Sequence, residues 1–201
     1  YTWTCPSVAK SSGKWYYEIM LEGVANMTAP QFGFGIVNKF NTTKKHEGVG
    51  DCRYSWAVDG MRKCYWHNGT KVPQSQHFPS SWKVGTSIQL FADLDAKTLR
   101  FVTDGKHHNN IIKLQTLRSG DLLMPAITSN GGKFRVRVRA PIDLPHIMGY
   151  PGYKAFGFET ISSSTSGGEL SGETKGNDVD ETGGPIDHSD LNGYDLRQIN
   201  K

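Results

Sequence analysis

Asp93 and Asp95, two positions apart, are the nearest thing in this chain to a pair of reactive carboxylates. On an extended strand that spacing sends both side chains to one face, where they can share a cation or divide acid and base roles. Asp is equally a favoured turn residue, and an Asp-Leu-Asp that closes a hairpin needs no chemistry. Metal binding would require further oxygen ligands, and the sequence does not supply them. His107-His108 lies in a Gly- and Asn-containing stretch without a third ligand at metal-binding spacing, so a solvated loop is expected. His46, His67, His77, His146 and His188 are scattered, with no Ser or Cys nucleophile motif near them. Gly-x-Ser-x-Gly, a Gly-rich phosphate loop ahead of a Lys and His-Glu-x-x-His are all absent from the sequence. No catalytic residue, metal ligand or cofactor is assigned, and the chain is expected not to be an enzyme.

Cys5, Cys52 and Cys64 are too few for a disulfide framework and lack metal-ligand spacing. Buried or half-buried reduced thiols are expected, which fits cytosolic assembly better than secretion. Asn26, Asn41 and Asn68 each open an Asn-x-Thr triplet. Such triplets arise by chance in loops of this composition and are not weighed as a sign of secretion.

Binding chemistry is better represented. Lys133-Phe134-Arg135-Val136-Arg137-Val138-Arg139 alternates strictly. As a strand it places Lys133, Arg135, Arg137 and Arg139 on one face and the apolar residues on the other. Four cations in a row call for solvent, for carboxylates on neighbouring strands, or for an anionic partner; cross-strand pairs give only about 0.2–1 kcal/mol each. Nucleic acid is the least suitable partner, because single-strand binders interleave aromatics with cations on the exposed face and Phe134 points the other way. A second candidate is the aromatic cluster Tyr54, Trp56, Tyr65, Trp66, His67 and Trp82. Trp56 and Tyr65 are expected to face inward, whereas Trp66 and His67, beside Asn68-Gly69-Thr70, are placed at the border of a loop recognition surface.

The elements that must position these groups are strands. Trp15, Tyr17, Ile19 and Leu21 share one face of a strand and Tyr16, Glu18 and Glu22 the other. Phe32-Gly33-Phe34-Gly35-Ile36-Val37 is a further strand, whose glycines imply close approach of another backbone or sheet. Three hairpins are expected: one at Asp59-Gly60, one at Asp95-Ala96-Lys97 and one at Asn130-Gly131-Gly132. No stretch shows convincing helical periodicity, so the fold class is all-β, an antiparallel β-sandwich. No apolar run reaches the roughly 20 residues of a membrane helix.

Composition changes sharply near residue 159. Residues 1–158 hold 20 Lys+Arg and 10 Asp+Glu, a net of +10, whereas residues 159–201 hold 3 and 9, a net of −6. A sandwich domain over 1–158 therefore carries an irregular, Ser/Gly-rich acidic tail over 159–201, either a solvated linker or a docking segment. Leu191, Tyr194, Leu196 and Ile199 are its apolar anchors, with Asp190 placed to cap a short helix.

Read in order, Ser11-Ser12-Gly13-Lys14-Trp15-Tyr16-Tyr17-Glu18-Ile19, Phe32-Gly33-Phe34-Gly35-Ile36-Val37, Ser55-Trp56-Ala57-Val58-Asp59-Gly60, the run from Leu90 to Gly105 and Leu123-Met124-Pro125-Ala126-Ile127 resemble the SPRY family. The resemblance covers about residues 8–158. It implies a concanavalin-like jelly-roll sandwich that serves as a protein-interaction module, with its first strand upstream of Tyr1 in a longer protein. Pro151-Gly152-Tyr153-Lys154-Ala155-Phe156 resembles the end of the branch found in bacteriophage and other viral structural proteins. That points to a virion component (tail, fibre or capsid surface) whose partners are neighbouring subunits. The alternatives are an intracellular, cytoplasmic eukaryotic adaptor that grips a peptide motif, and a lectin-like module for a host-surface glycan. The loop from Lys39 to Gly50 and the Arg stripe have no family role assigned, and no peptide-pocket residue is carried over.

Overall fold

The computed structural model describes residues 1–44, 46–72, 81–137 and 150–157. Its regular structure is strand, apart from a 3-10 turn at Pro6–Val8. In chain order the strands are β1 (Thr2–Thr4), β2 (Lys14–Gly23), β3 (Thr28–Ile36), β4 (Ser55–Asp59), β5 (Cys64–His67), β6 (Thr70–Val72) and β7 (Ser87–Asp93). They continue as β8 (Thr98–Thr103), β9 (Lys106–His107), β10 (Ile112–Lys113), β11 (Leu123–Asn130), β12 (Lys133–Arg137) and β13 (Lys154–Ala155). One sheet runs β1-β11-β3-β4-β5-β6. The other runs β10-β8-β7-β2-β12, with β9 beside β8 and β13 beside β2. Pairing is antiparallel except between β13 and β2. The all-β sandwich expected from alternation is the observed architecture.

The two sheets share one apolar core, because each strand sends alternate side chains inward. On β2 these are Tyr17, Ile19 and Leu21; on β3, Phe32, Phe34 and Ile36; on β4, Trp56 and Val58. Burial of each large aromatic contributes about 2–3 kcal/mol. Phe32 stacks on Trp82 at 4.9 Å, and Tyr17 meets Phe34 edge-on at 5.4 Å. Phe156, from the last described segment, enters the same core against Trp15, Tyr17 and Phe34. The outer face of the first sheet is roofed by the segment that follows β3, since Phe40 and Val49 pack on Ala57, Met124 and Ala126. This roof explains Gly35, whose Cβ would lie 2.6 Å from the Phe40 ring, whereas Gly33 is required by the paired strand β4, since its Cβ would lie 1.8 Å from the Trp56 carbonyl oxygen.

The Ser-Ser-Gly-Lys-Trp entry to β2 is held by its own side chains. The Trp15 indole donates to the Ser12 carbonyl at 2.6 Å, and the Gly13 N–H donates to Asp95 at 3.0 Å. Cys5, Cys52 and Cys64 are free thiols, the first and third buried.

Two expected turns differ. Asn130-Gly131-Gly132 is not a hairpin: β11 lies in the first sheet and β12 pairs with β2 in the second. The chain turns a corner between layers there, with Gly131 and Gly132 at φ of 80° and 81°. A Cβ on Gly131 would also sit 2.5 Å from the Asn26 carbonyl oxygen. Alternation on both sides of a Gly-rich turn cannot tell a hairpin from a change of layer, because both keep the inward pattern. At Asp59-Gly60 the register pairs Asp59 with Cys64, so the turn is the four residues 60–63 rather than two. The buried Asp59 carboxylate accepts from the Arg62 N–H at 2.8 Å and pairs with its guanidinium, which stabilises the longer turn.

Candidate functional site

Asp93 and Asp95 do not converge. Asp93 ends β7, accepts from the Ala96 N–H at 2.9 Å and lies 3.7 Å from Lys14 Nζ, whereas Asp95 sits in the turn and serves Gly13. They close a hairpin. His107 and His108 also separate. His107 is exposed on β9, while His108, expected in a solvated loop, is buried at 3% exposure. Its Nδ1 lies 2.5 Å from the Tyr65 hydroxyl and its Nε2 2.8 Å from that of Thr103. Burial pushes its pKa down to about 4. Two hydroxyls satisfy both ring nitrogens, which is why the position tolerates burial.

Trp66 and His67 are neighbours on β5 and so face opposite sides. His67 lies across from Trp56 and stacks on it at 4.9 Å, with Nδ1 2.9 Å from the Ser55 carbonyl. Trp66 packs beneath the roof of the first sheet, with the Arg62 guanidinium 4.9 Å over its ring. The two do not form a common surface. Trp56 and Tyr65 are buried as expected.

On β12 the alternation holds. Val136 is buried, Phe134 packs on the core, and Lys133 and Arg135 are exposed. Arg135 pairs with Glu22 at 2.7 Å, so a carboxylate of β2 already answers one cation of the stripe. Arg137 stands opposite Glu18 in the register; its side chain and Arg139 lie outside the described residues, as does the tail at 159–201.

A groove on the outer face of the second sheet brings together residues that pattern reading left apart. Cross-strand register builds it in rows: Tyr16 opposite Phe91 opposite Arg100, and Lys14 opposite Asp93 opposite Thr98 opposite Lys113. Residues 150–157 then cross this face. Tyr150 stacks on Phe91 at 4.3 Å, and Tyr153 meets Phe91 edge-on at 5.2 Å. The resulting open groove has a volume of about 580 Å³ and is lined by Lys14, Asp93, Arg100, His107, Tyr150 and Tyr153, among others.

Its polar groups are arranged for contact. The Tyr150 hydroxyl lies 3.0 Å from His107 Nδ1 and bonds the Arg100 side chain. Burial and the Asp93 carboxylate raise the Tyr153 phenol to about 12, and burial also raises that of Tyr150. Both phenols therefore remain protonated donors at neutral pH. Asp93 is paired with Lys14 and the Ala96 N–H, and His107 with Tyr150. Tyrosine and arginine on a rigid sheet face is the composition of interface hot spots.

The sequence held one usable sign of this groove: Tyr16, Arg100 and Lys14 all fall on outward positions of alternating strands. That Tyr150 and Tyr153 fold back over them is a long-range contact without local signature. Residues 14–139 match the family model described as SPRY domain.

Proposed function

Because the chain belongs to the SPRY domain family, we propose that it is a non-enzymatic protein-interaction module that engages its partner through the groove of Tyr150, Tyr153, Arg100 and Lys14. The observation that carries this reading is the cross-strand row Tyr16, Phe91, Arg100 capped by two tyrosines. It is an aromatic, cation-flanked concavity on a sheet whose other face is locked in the core. Rigid aromatics give up little conformational entropy on binding, and Arg100 supplies charge-assisted hydrogen bonds. The partner that suits the groove presents acidic and apolar groups together, because among the described residues that line it Asp93 is the lone carboxylate against Lys14, Arg100 and Lys113.

The setting we propose is a phage or viral particle, with a neighbouring subunit as partner. Its support is the segment Pro151 to Phe156, which resembles the viral branch and forms part of the groove wall while anchoring Phe156 in the core. Particles purified from the source that encodes the chain test both parts. Stoichiometric presence of the chain, with cross-links from Lys14 or Lys113 to a particle protein, is expected. Absence from particles overturns the setting; cross-links that avoid the groove overturn the site.

A further inference from the structure

A second concavity lies at another place in the fold, between the turn after β3, the residues ahead of β4 and the loop that joins β10 to β11. Lys39, Arg53, Tyr54, Gln115, Thr116 and Arg118 line it, around a volume of about 210 Å³. Three of the six are cations and none is acidic.

The carboxylate that meets two of these lining residues is already committed. Asp121 Oδ1 pairs with Lys39 Nζ at 2.5 Å, and Oδ2 accepts from the Arg118 N–H at 3.0 Å. Those bonds hold the Asp121 carboxyl below its ordinary range against the opposing effect of burial. Arg53 and Arg118 have no carboxylate within ion-pair distance among the described residues. Asp121 also interacts electrostatically with Arg118, so this one carboxylate faces three positive charges around a shared hollow.

The cradle is also fixed. The Thr116 hydroxyl donates to the Arg53 carbonyl at 2.6 Å, which ties the β10–β11 loop to the β4 entry. The Val37 N–H donates to the Leu122 carbonyl at 2.9 Å, which ties the same loop to the end of β3. Tyr54 packs against the core, and its ring holds the Arg53 guanidinium at 5.1 Å and Lys39 Nζ at 5.9 Å. Cations held over an aromatic ring lose less freedom when they bind an anion.

We propose that this hollow is an oxyanion site that takes a phosphate or sulfate group. Two guanidinium forks and an ammonium approach from three segments, which suits a tetrahedral anion with several acceptor oxygens better than a planar carboxylate that one fork satisfies. The volume admits the anion with a small attached group. The stretch from Ile111 to Arg118 borders both this hollow and the tyrosine groove, so an anion here sits at the edge of the proposed partner face.

Titration of the full chain with inorganic phosphate and, separately, inorganic sulfate, followed by amide chemical shifts at constant ionic strength, tests the site. Saturable shifts at residues 37–40, 53–54 and 115–118 are expected with at least one anion. Arg53→Gln with Arg118→Gln is expected to weaken that binding at least about tenfold, the scale of a lost charge-assisted bond. Lys133→Gln, a cation on a different strand, should leave it unchanged. Whichever anion saturates first identifies the group as phosphoryl or sulfuryl. Shifts that fail to saturate, that chloride reproduces, that survive in the double variant, or that Lys133→Gln reduces equally all overturn the proposal.

Discussion

The Tyr17 hydroxyl donates to the Gly33 carbonyl at 2.5 Å, a buried bond that crosses the sandwich from β2 to β3. Its neighbour Tyr16 points to the outer face, where its buried hydroxyl has no hydrogen-bond partner among the described residues. Removing each hydroxyl should therefore have opposite consequences. Tyr17→Phe keeps the ring contacts but leaves a buried carbonyl short of a donor, and should cost about 1–2 kcal/mol in urea unfolding. Tyr16→Phe removes an orphaned polar atom and should be neutral or stabilising by up to about 1 kcal/mol. Equal losses in the two variants would contradict this assignment of faces.

Gly33 cannot carry a side chain, because its Cβ would stand 1.8 Å from a backbone oxygen of the paired strand β4. Gly33→Ala should abolish folding or cost more than about 3 kcal/mol, since relief requires the β3–β4 pair to part. Gly85 is the comparison: φ is +85° but nothing lies within 4 Å of its Cβ. Gly85→Ala should cost only about 1 kcal/mol, the left-handed penalty alone. Soluble, cooperatively folding Gly33→Ala protein with near-native melting would show that the sheets have slack the geometry denies.

How far these features were legible follows from their range. Gly33 and Gly35 announced a close approach because a glycine between strand aromatics has few other uses; the β4 backbone supplied it at Gly33 and the Phe40 ring at Gly35. The alternation of β2 and β12 fixed which side chains face the core, and it held residue by residue from Trp15 to Leu21. The layer change at Gly131 was not legible, for a turn's sequence sets its local dihedrals but not which distant strand waits beyond it. His108 was misread for a related reason: its burial depends on Tyr65, 43 residues away, and on Thr103. The tyrosine groove assembles from β2, β7, β8 and residues 150–157, so only its outward positions, not their convergence, could be read.

His108 makes stability depend on pH in a definite direction. The folded state holds it neutral down to about 4, while the unfolded chain protonates near the ordinary histidine value of 6.5. As pH falls from 6.5 towards 4 the unfolded state gains the proton first, so stability declines through that window and levels off below it. The loss attributable to this residue is of order 3 kcal/mol at most. Glutamine can still bond the Tyr65 and Thr103 hydroxyls but does not titrate. His108→Gln should lower stability at neutral pH yet flatten the profile between pH 6.5 and 4 relative to the parent. Parallel profiles for the two proteins would mean that the imidazole titrates as though exposed.

The two basic patches on the outer face of the second sheet make different predictions for the partner. Arg100→Gln combined with Tyr153→Ala strips the groove of a cation and a half-buried aromatic, but leaves the core aromatics Tyr17, Phe34 and Phe156 in place. The fold should survive with a loss of about 1–3 kcal/mol, since Tyr153 is only partly covered. Partner binding should fall by about tenfold or more, as expected when two hot-spot positions are removed. Arg135→Gln breaks an exposed pair with Glu22 and should change stability by less than about 1 kcal/mol. If the partner reads the groove, Arg135→Gln binds as the parent does, apart from a small drop in association rate at low salt. Cross-linking yield to the partner, measured beside melting temperature for all three proteins, separates the cases. Intact binding in the groove variant with loss in Arg135→Gln would move the contact surface from the tyrosines to β12.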